Sequence, residues 1–212
     1  MKKILILTIF LGGTSAFSQS FEYGVKGGAG ISDLTGDYSQ YNKSVISYYI
    51  GIFGQYNFND KVFIKPEVRY SVQGSKEEIG FRSERTLNYL AIPISVGYNI
   101  TDKLNVSASH RVSFLLNNEY SYDFSSINKY NPNQPISAGT LEEDLSSIDA
   151  GLGLSVSYET IQNLSLELEF YKGIYNINKN ANIYDFEDSA IEKSSNKSIY
   201  TQNFNLGLSY KF

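Results

Sequence analysis

Eight times along this chain, a long run alternates apolar with polar side chains and then stops at a turn. The runs cover residues 21–33, 44–58, 62–74, 86–100, 104–117, 146–159, 164–177 and 199–212. In the third, Val62, Ile64, Pro66, Val68, Tyr70 and Val72 alternate with Phe63, Lys65, Glu67, Arg69, Ser71 and Gln73. In the seventh, Leu164, Leu166, Leu168 and Phe170 alternate with Ser165, Glu167, Glu169 and Tyr171. Successive side chains of a β-strand point to opposite faces, so a period of two gives each strand one apolar and one polar face. No stretch shows a helical period.

A soluble sandwich and a membrane barrel both alternate in this way, and three features separate them. The runs far exceed the globular norm of about 5–6 residues and cover the roughly 9–11 that a tilted membrane strand needs. The connections alternate in length: 59–61, 101–103 and 160–163 are tight, whereas 34–43, 75–85, 118–145 and 178–198 are long and polar. Short periplasmic turns and long outer loops are the habit of outer-membrane barrels. Aromatic residues also collect where strands leave the hydrocarbon. Phe21, Tyr23, Tyr56, Phe58, Tyr98, Tyr158, Tyr210 and Phe212 stand towards the short turns, and Tyr48, Tyr70, Phe114 and Phe170 towards the long loops. Amphipathic rings favour the headgroup level, and two girdles result. The expected fold is all-β: an eight-stranded antiparallel up-and-down transmembrane β-barrel over residues 19–212, in the cell outer membrane.

Residues 1–18 read as a cleaved signal peptide. Lys2 and Lys3 precede the short apolar stretch 4–11, and Ala16-Phe17-Ser18 offers small residues for cleavage before Gln19. Removing this segment takes Lys+Arg from 18 to 16 against 22 Asp+Glu, a net charge of −6, which disfavours nucleic acid as a partner. The chain has no cysteine, so disulfides, thiolate metal sites and a lipidated N-terminal Cys are excluded. A mean hydropathy of −0.26 is too polar for a helical membrane protein but suits a barrel, where every second residue faces lipid. Phe204, Leu206, Leu208, Tyr210 and Phe212 alternate to the last residue, as in a terminal strand presented to the barrel-insertion machinery.

The stretch Pro66-Glu67-Val68-Arg69-Tyr70-Ser71-Val72-Gln73-Gly74, the stretch Leu87-Asn88-Tyr89-Leu90-Ala91-Ile92-Pro93-Ile94 and the terminal Tyr210-Lys211-Phe212 resemble the PorT-like outer-membrane β-barrel family of Bacteroidetes. The resemblance extends over essentially the whole mature chain. It implies an eight-stranded barrel like OmpA or OmpX, with no catalytic motif; the founding member is implicated in protein secretion.

The candidate site is the polar face. Its ionisable residues are Glu22, Lys26, Lys65, Glu67, Arg69, Arg111, Asp149, Glu167, Glu169 and Lys211, five acids and five bases. Eight strands enclose a lumen just wide enough for side chains, where isolated charges are costly, so these are expected to pair into an ionic plug. A narrow conductance is the alternative. Gly24, Gly27, Gly28 and Gly30 lack the following helix that a phosphate fingerprint requires, and read as small residues easing a crowded lumen.

His110 is the only histidine, so no histidine metal cluster forms; it falls on the lipid face beside Ala108 and Val112, without an outward Ser or acid. Pro66 and Pro93 are expected to mark bulges or bends. The segment 118–145, with Glu119, Asp123, Glu142, Glu143 and Asp144 against Lys129, reads as a solvated acidic loop.

No cofactor, metal or catalytic residue is expected. Expected partners are outer-membrane lipid and lipopolysaccharide, the insertion machinery, and an envelope or secretion protein. The function read from these residues is a structural, docking or secretion-related envelope role. A small-solute or ion channel is the alternative class, and a lipid-modifying enzyme built on His110 is a third.

Overall fold

A computed structural model describes residues 21–37, 42–79, 81–123, 138–141, 143–185 and 190–212. The signal segment 1–18, Lys129 and Glu142 lie outside the described residues. Eight long strands form the wall: β1 Phe21–Gly36, β2 Val45–Asn57, β3 Val62–Ile79, β4 Phe81–Asn99, β5 Leu104–Asp123, β6 Ile148–Ile161, β7 Leu164–Gly173 and β8 Ile199–Lys211. Each pairs antiparallel with its sequence neighbours, and β1 pairs with β8 from Gly24↔Lys211 to Gly36↔Ile199. The sheet therefore closes on itself, which removes its edges and satisfies the backbone without water.

The alternation takes the direction that membrane insertion needs. Outward residues of β7, namely Leu166, Leu168 and Phe170, are exposed, while Ser165, Glu167, Glu169 and Tyr171 are buried. β6 and β8 repeat the pattern, with Leu152, Leu154, Leu206 and Leu208 outside and Asp149, Asn203 and Asn205 inside. Outward aromatics stand in two bands, Tyr23, Tyr98, Tyr158 and Tyr210 near the short turns, Tyr48, Tyr70, Phe114 and Phe170 further up. Val72 departs from the expected exposure: it is buried, between Tyr48 and Asn88 on the adjacent strands.

Short turns close the periplasmic end with local side-chain acceptors. Asn59 Oδ1 accepts from the amides of Lys61 (2.8 Å) and Val62 (2.9 Å). Thr101 Oγ1 does the same for Lys103 (3.3 Å) and Leu104 (3.0 Å). Asn163 takes a left-handed conformation, φ 67°, in the two-residue turn between β6 and β7, beside the register shift at Leu164/Ser165. Asn is among the few residues that tolerate this region.

The segments read as long loops are in good part strand. β3 and β4 stay paired up to Ile79↔Phe81, and β5 continues to Asp123 with Ala138–Leu141 alongside. Asn178–Asp185 pairs with Ala190–Ser194 and with Asp144–Leu145. Above the hydrocarbon both faces of a strand can meet water. Ladder hydrogen bonds then persist without an apolar face to announce them.

The two prolines produce no bulge. Pro66 keeps its pairing with Ile94, and the register from β2 to β3 resumes unchanged on either side of it. Pro93 keeps its pairing with Arg111. Each ring removes the bond to one neighbouring strand only, so the ladder has a gap and keeps its register. The wall is irregular instead at Asn88/Tyr89 and at Leu164/Ser165.

Candidate functional site, a sealed ionic lumen

Inward-pointing residues of three strands meet at the centre of the lumen. Lys26 on β1 donates to Glu67 on β3 (3.0 Å) and to Glu167 on β7 (2.6 Å). Lys65 donates to Glu167 (3.1 Å) and lies 3.6 Å from Glu67. Arg69 makes a two-point contact with Glu169, Nη1 to Oε2 at 2.8 Å and Nη2 to Oε1 at 2.6 Å, and lies 3.9 Å from Glu67. All six are buried. Charges removed from water need this degree of pairing, because the desolvation cost of a lone ion is several kcal/mol.

Arg111 joins the edge of this group, 4.0 Å from Glu169, and its guanidinium stacks on the Tyr171 ring, 3.0 Å from the centroid. Asp149 accepts from Thr201 Oγ1 (2.7 Å) and Tyr171 Oη (3.4 Å). Glu22 and Lys211 sit apart from the central group. At the periplasmic mouth Lys211 lies 3.2 Å from Glu22 and 3.8 Å from Glu159, all three partly exposed. The ten residues thus occupy one lumen but form a central network, an Arg111–Tyr171–Asp149 layer and a separate rim. Glu159 belongs to that rim although the sequence reading did not include it; its position at the end of β6, facing inward, carried the signal.

Aromatic rings fill the space between the charges. Tyr49 lies under both Lys26 (5.5 Å) and Arg69 (4.7 Å), and Phe53 under Lys65 (5.7 Å). Glycines make the room: a Cβ on Gly97 would stand 2.0 Å from Phe63 Cζ, and one on Gly207 2.2 Å from the Tyr49 hydroxyl. Above the ion pairs lies a neutral polar layer, where Ser47 donates to Asn205 (2.9 Å) and Asn203 to Gln73 (2.6 Å). The void between Tyr49, Arg69, Arg111 and Asn205 is only about 10 Å³, room for about one water.

The outer end is closed by residues that give no sign of this role in the sequence. Leu34, Leu87, Tyr89, Leu145, Ile177, Ala181 and Ile199 form an apolar cluster, with Leu115 packed against it. Leu145 comes from a segment read as a loop, and Ile177 from the last position of the seventh run. They are drawn inward by backbone bonds, Ser146 N to Ile177 O (2.7 Å) and Ile177 N to Ile199 O (2.9 Å). Glu143, read as a solvated loop acid, is buried instead. Its carboxylate accepts from Arg85 Nε (2.5 Å) and Nη2 (2.9 Å), and its backbone exchanges two bonds with the Asn118 side chain. Arg85, an inward cation opposite Tyr120, was the available signal. On the rim, the amide and hydroxyl of Ser198 both donate to Asp37, which holds that carboxyl below its ordinary range.

At the periplasmic end the lumen opens into a polar vestibule of about 480 Å³, reached by Gln55, Lys65, Asn105, Glu159 and Lys211. His110 faces outward and is exposed, directly between Ile94 and Leu152 on the adjacent strands. Among the described residues no cluster of three His, Cys, Asp or Glu side chains has metal-holding geometry.

The sequence matches the family described as outer membrane protein beta-barrel domain over residues 17–179. Comparison with curated proteins gave no match. Among solved structures the chain is similar to Ail, the attachment invasion locus protein of Yersinia pestis, in complex with the heparin analogue sucrose octasulfate. The TM-score is 0.51 at 11% identity, covering 91% of this chain and 99% of Ail. A second structure of Ail gives 0.50 at 10% identity with the same coverage. Neisserial surface protein A gives 0.48 at 16% identity, covering 90% and 97%. At such identities the likeness is one of fold. With a closed eight-stranded wall, an apolar exterior and a family match over most of its length, this chain belongs to the outer membrane protein beta-barrel domain family and resides in the cell outer membrane.

Proposed function

We propose that this barrel is a non-catalytic, non-conducting envelope element, acting through the surfaces it presents on either side of the membrane. One observation carries the reading. The lumen is blocked in series by the Lys26–Glu67–Glu167–Lys65 and Arg69–Glu169 pairs and, above them, by the apolar cluster around Tyr89 and Leu145. A solute path would need both layers to open. Catalysis finds no support either: a nucleophile and its base must lie within hydrogen-bond reach, and His110 is flanked by hydrocarbon side chains.

The finer placement we infer is the PorT-like family of Bacteroidetes, with a docking or secretion-related role. Its two motif stretches fall on β3 and β4 and pair with each other, Tyr70 with Leu90 and Gln73 with Leu87. Together they supply Glu67, Arg69 and Tyr89, so the motif builds the plug and contributes no reactive group. A deletion strain tests this role. Loss of envelope integrity or of protein secretion, restored by the wild-type gene, supports it; a strain normal in both contradicts it.

A further inference from the structure

The lipid-facing wall carries a groove of about 730 Å³. It crosses the strands between one outward row through Tyr98, Val106 and Val156 and the next through Val96, Ala108 and Leu154. Its size falls within the range of small-molecule clefts, roughly 300–1,000 Å³. The small Ala108 side chain opens its centre, and its far end lies at Phe170 and Phe204, which pair across β7 and β8.

The next outward pair on those two strands is Lys172 and Gln202. One two-residue step along a strand is roughly 6.6 Å. Lys172 thus follows the outward series Leu164, Leu166, Leu168 and Phe170 at the long-loop side of the apolar band. Its ammonium donates to Thr35 Oγ1 and to Gln202 Oε1, the latter at 3.2 Å. An ammonium has three donors, and these contacts use two. Asp33, paired with Gln202, points outward in the same row.

We propose that the groove and Lys172 form one site for a phosphate-bearing glycolipid of the outer leaflet. An acyl chain lies in the groove and the phosphate accepts from the remaining donor of Lys172. The position of the cation argues for the outer leaflet: it stands at the end of the wall that bears the long connections. Its neighbours argue for a ligand with both parts, since Asp33 offsets its charge and a phosphate alone gains little there. The proposal rests on the membrane placement and is independent of the docking role.

The test uses the full barrel in nanodiscs of zwitterionic phospholipid, doped with phosphorylated lipid A or with its dephosphorylated form. Retained lipid is counted by native mass spectrometry. Wild type is expected to retain the phosphorylated form about tenfold better, a charge-assisted hydrogen bond's worth. Lys172→Gln removes that preference and Lys172→Arg restores it. Asp33→Asn strengthens retention of the phosphorylated form. Ala108→Phe, which fills the groove, lowers retention of both. All three positions face outward, and a gel-shift assay of the folded barrel verifies that each variant folds. Equal retention of the two lipids by wild type, or an undiminished preference in Lys172→Gln, overturns the proposal.

Discussion

Arg69 and Glu169, a hundred residues apart in sequence, meet in a two-point contact of 2.8 and 2.6 Å inside a wall of hydrocarbon-facing side chains. Nothing near them in the chain brings them together; the barrel's closure does. Breaking such a pair from one side leaves a buried charge without its partner, at a cost of about 3–5 kcal/mol. Glu169→Ala should therefore destabilise the barrel strongly in urea unfolding, and Glu169→Leu combined with Arg69→Met should recover most of the loss. A double variant as unstable as the single one would show that the cost comes from lost packing.

The Gly97–Phe63 contact gives a second, apolar test. A methyl group at Gly97 collides with the ring, and overpacking of this kind costs about 1–3 kcal/mol. Gly97→Ala should lower the unfolding midpoint, and Phe63→Leu in the same chain should raise it again. Independent, additive losses would contradict the contact.

Glu143 anchors the outer cap through Arg85 and Asn118. Glu143→Gln weakens a charge-assisted contact worth about 1.5–3 kcal/mol, enough to open the cap locally while the wall persists. Limited proteolysis of intact cells should then cut the 143–147 or 174–179 segment at least tenfold faster than in wild type. Unchanged cleavage would mean that the cap is held by its apolar cluster alone.

His110→Ala should leave the lipid A of the cell unchanged, as read by mass spectrometry of extracted lipid. A lost acyl modification in that variant would restore the enzymatic reading that its Ile94 and Leu152 neighbours argue against.

The wall was legible because its physics is periodic. Leu164, Leu166, Leu168 and Phe170 must all face one way if any of them does, and alternation alone says which inward charges share the lumen. Which charge meets which was not legible. Lys26 finds Glu167 only through the stagger of strands around the closed barrel. The cap was hidden for a different reason. Leu145 is a single apolar residue in polar surroundings, Glu143 lies among other acids, and Ile177 stands at the very end of its run; all three are turned inward by pairing with residues distant in the chain. The extension of β3 and β4 beyond the apolar band escaped notice because ladder bonds leave no mark on composition.

The central claim is that the lumen is sealed, and planar-bilayer recording of the purified barrel tests it most directly. The wild-type protein is expected to insert without discrete current steps, and a variant lacking both Glu143 and Leu145 side chains, opened only at the outer cap, to stay silent while the Lys26–Glu67–Glu167 layer holds. Regular single-channel openings from the wild-type barrel would contradict the account.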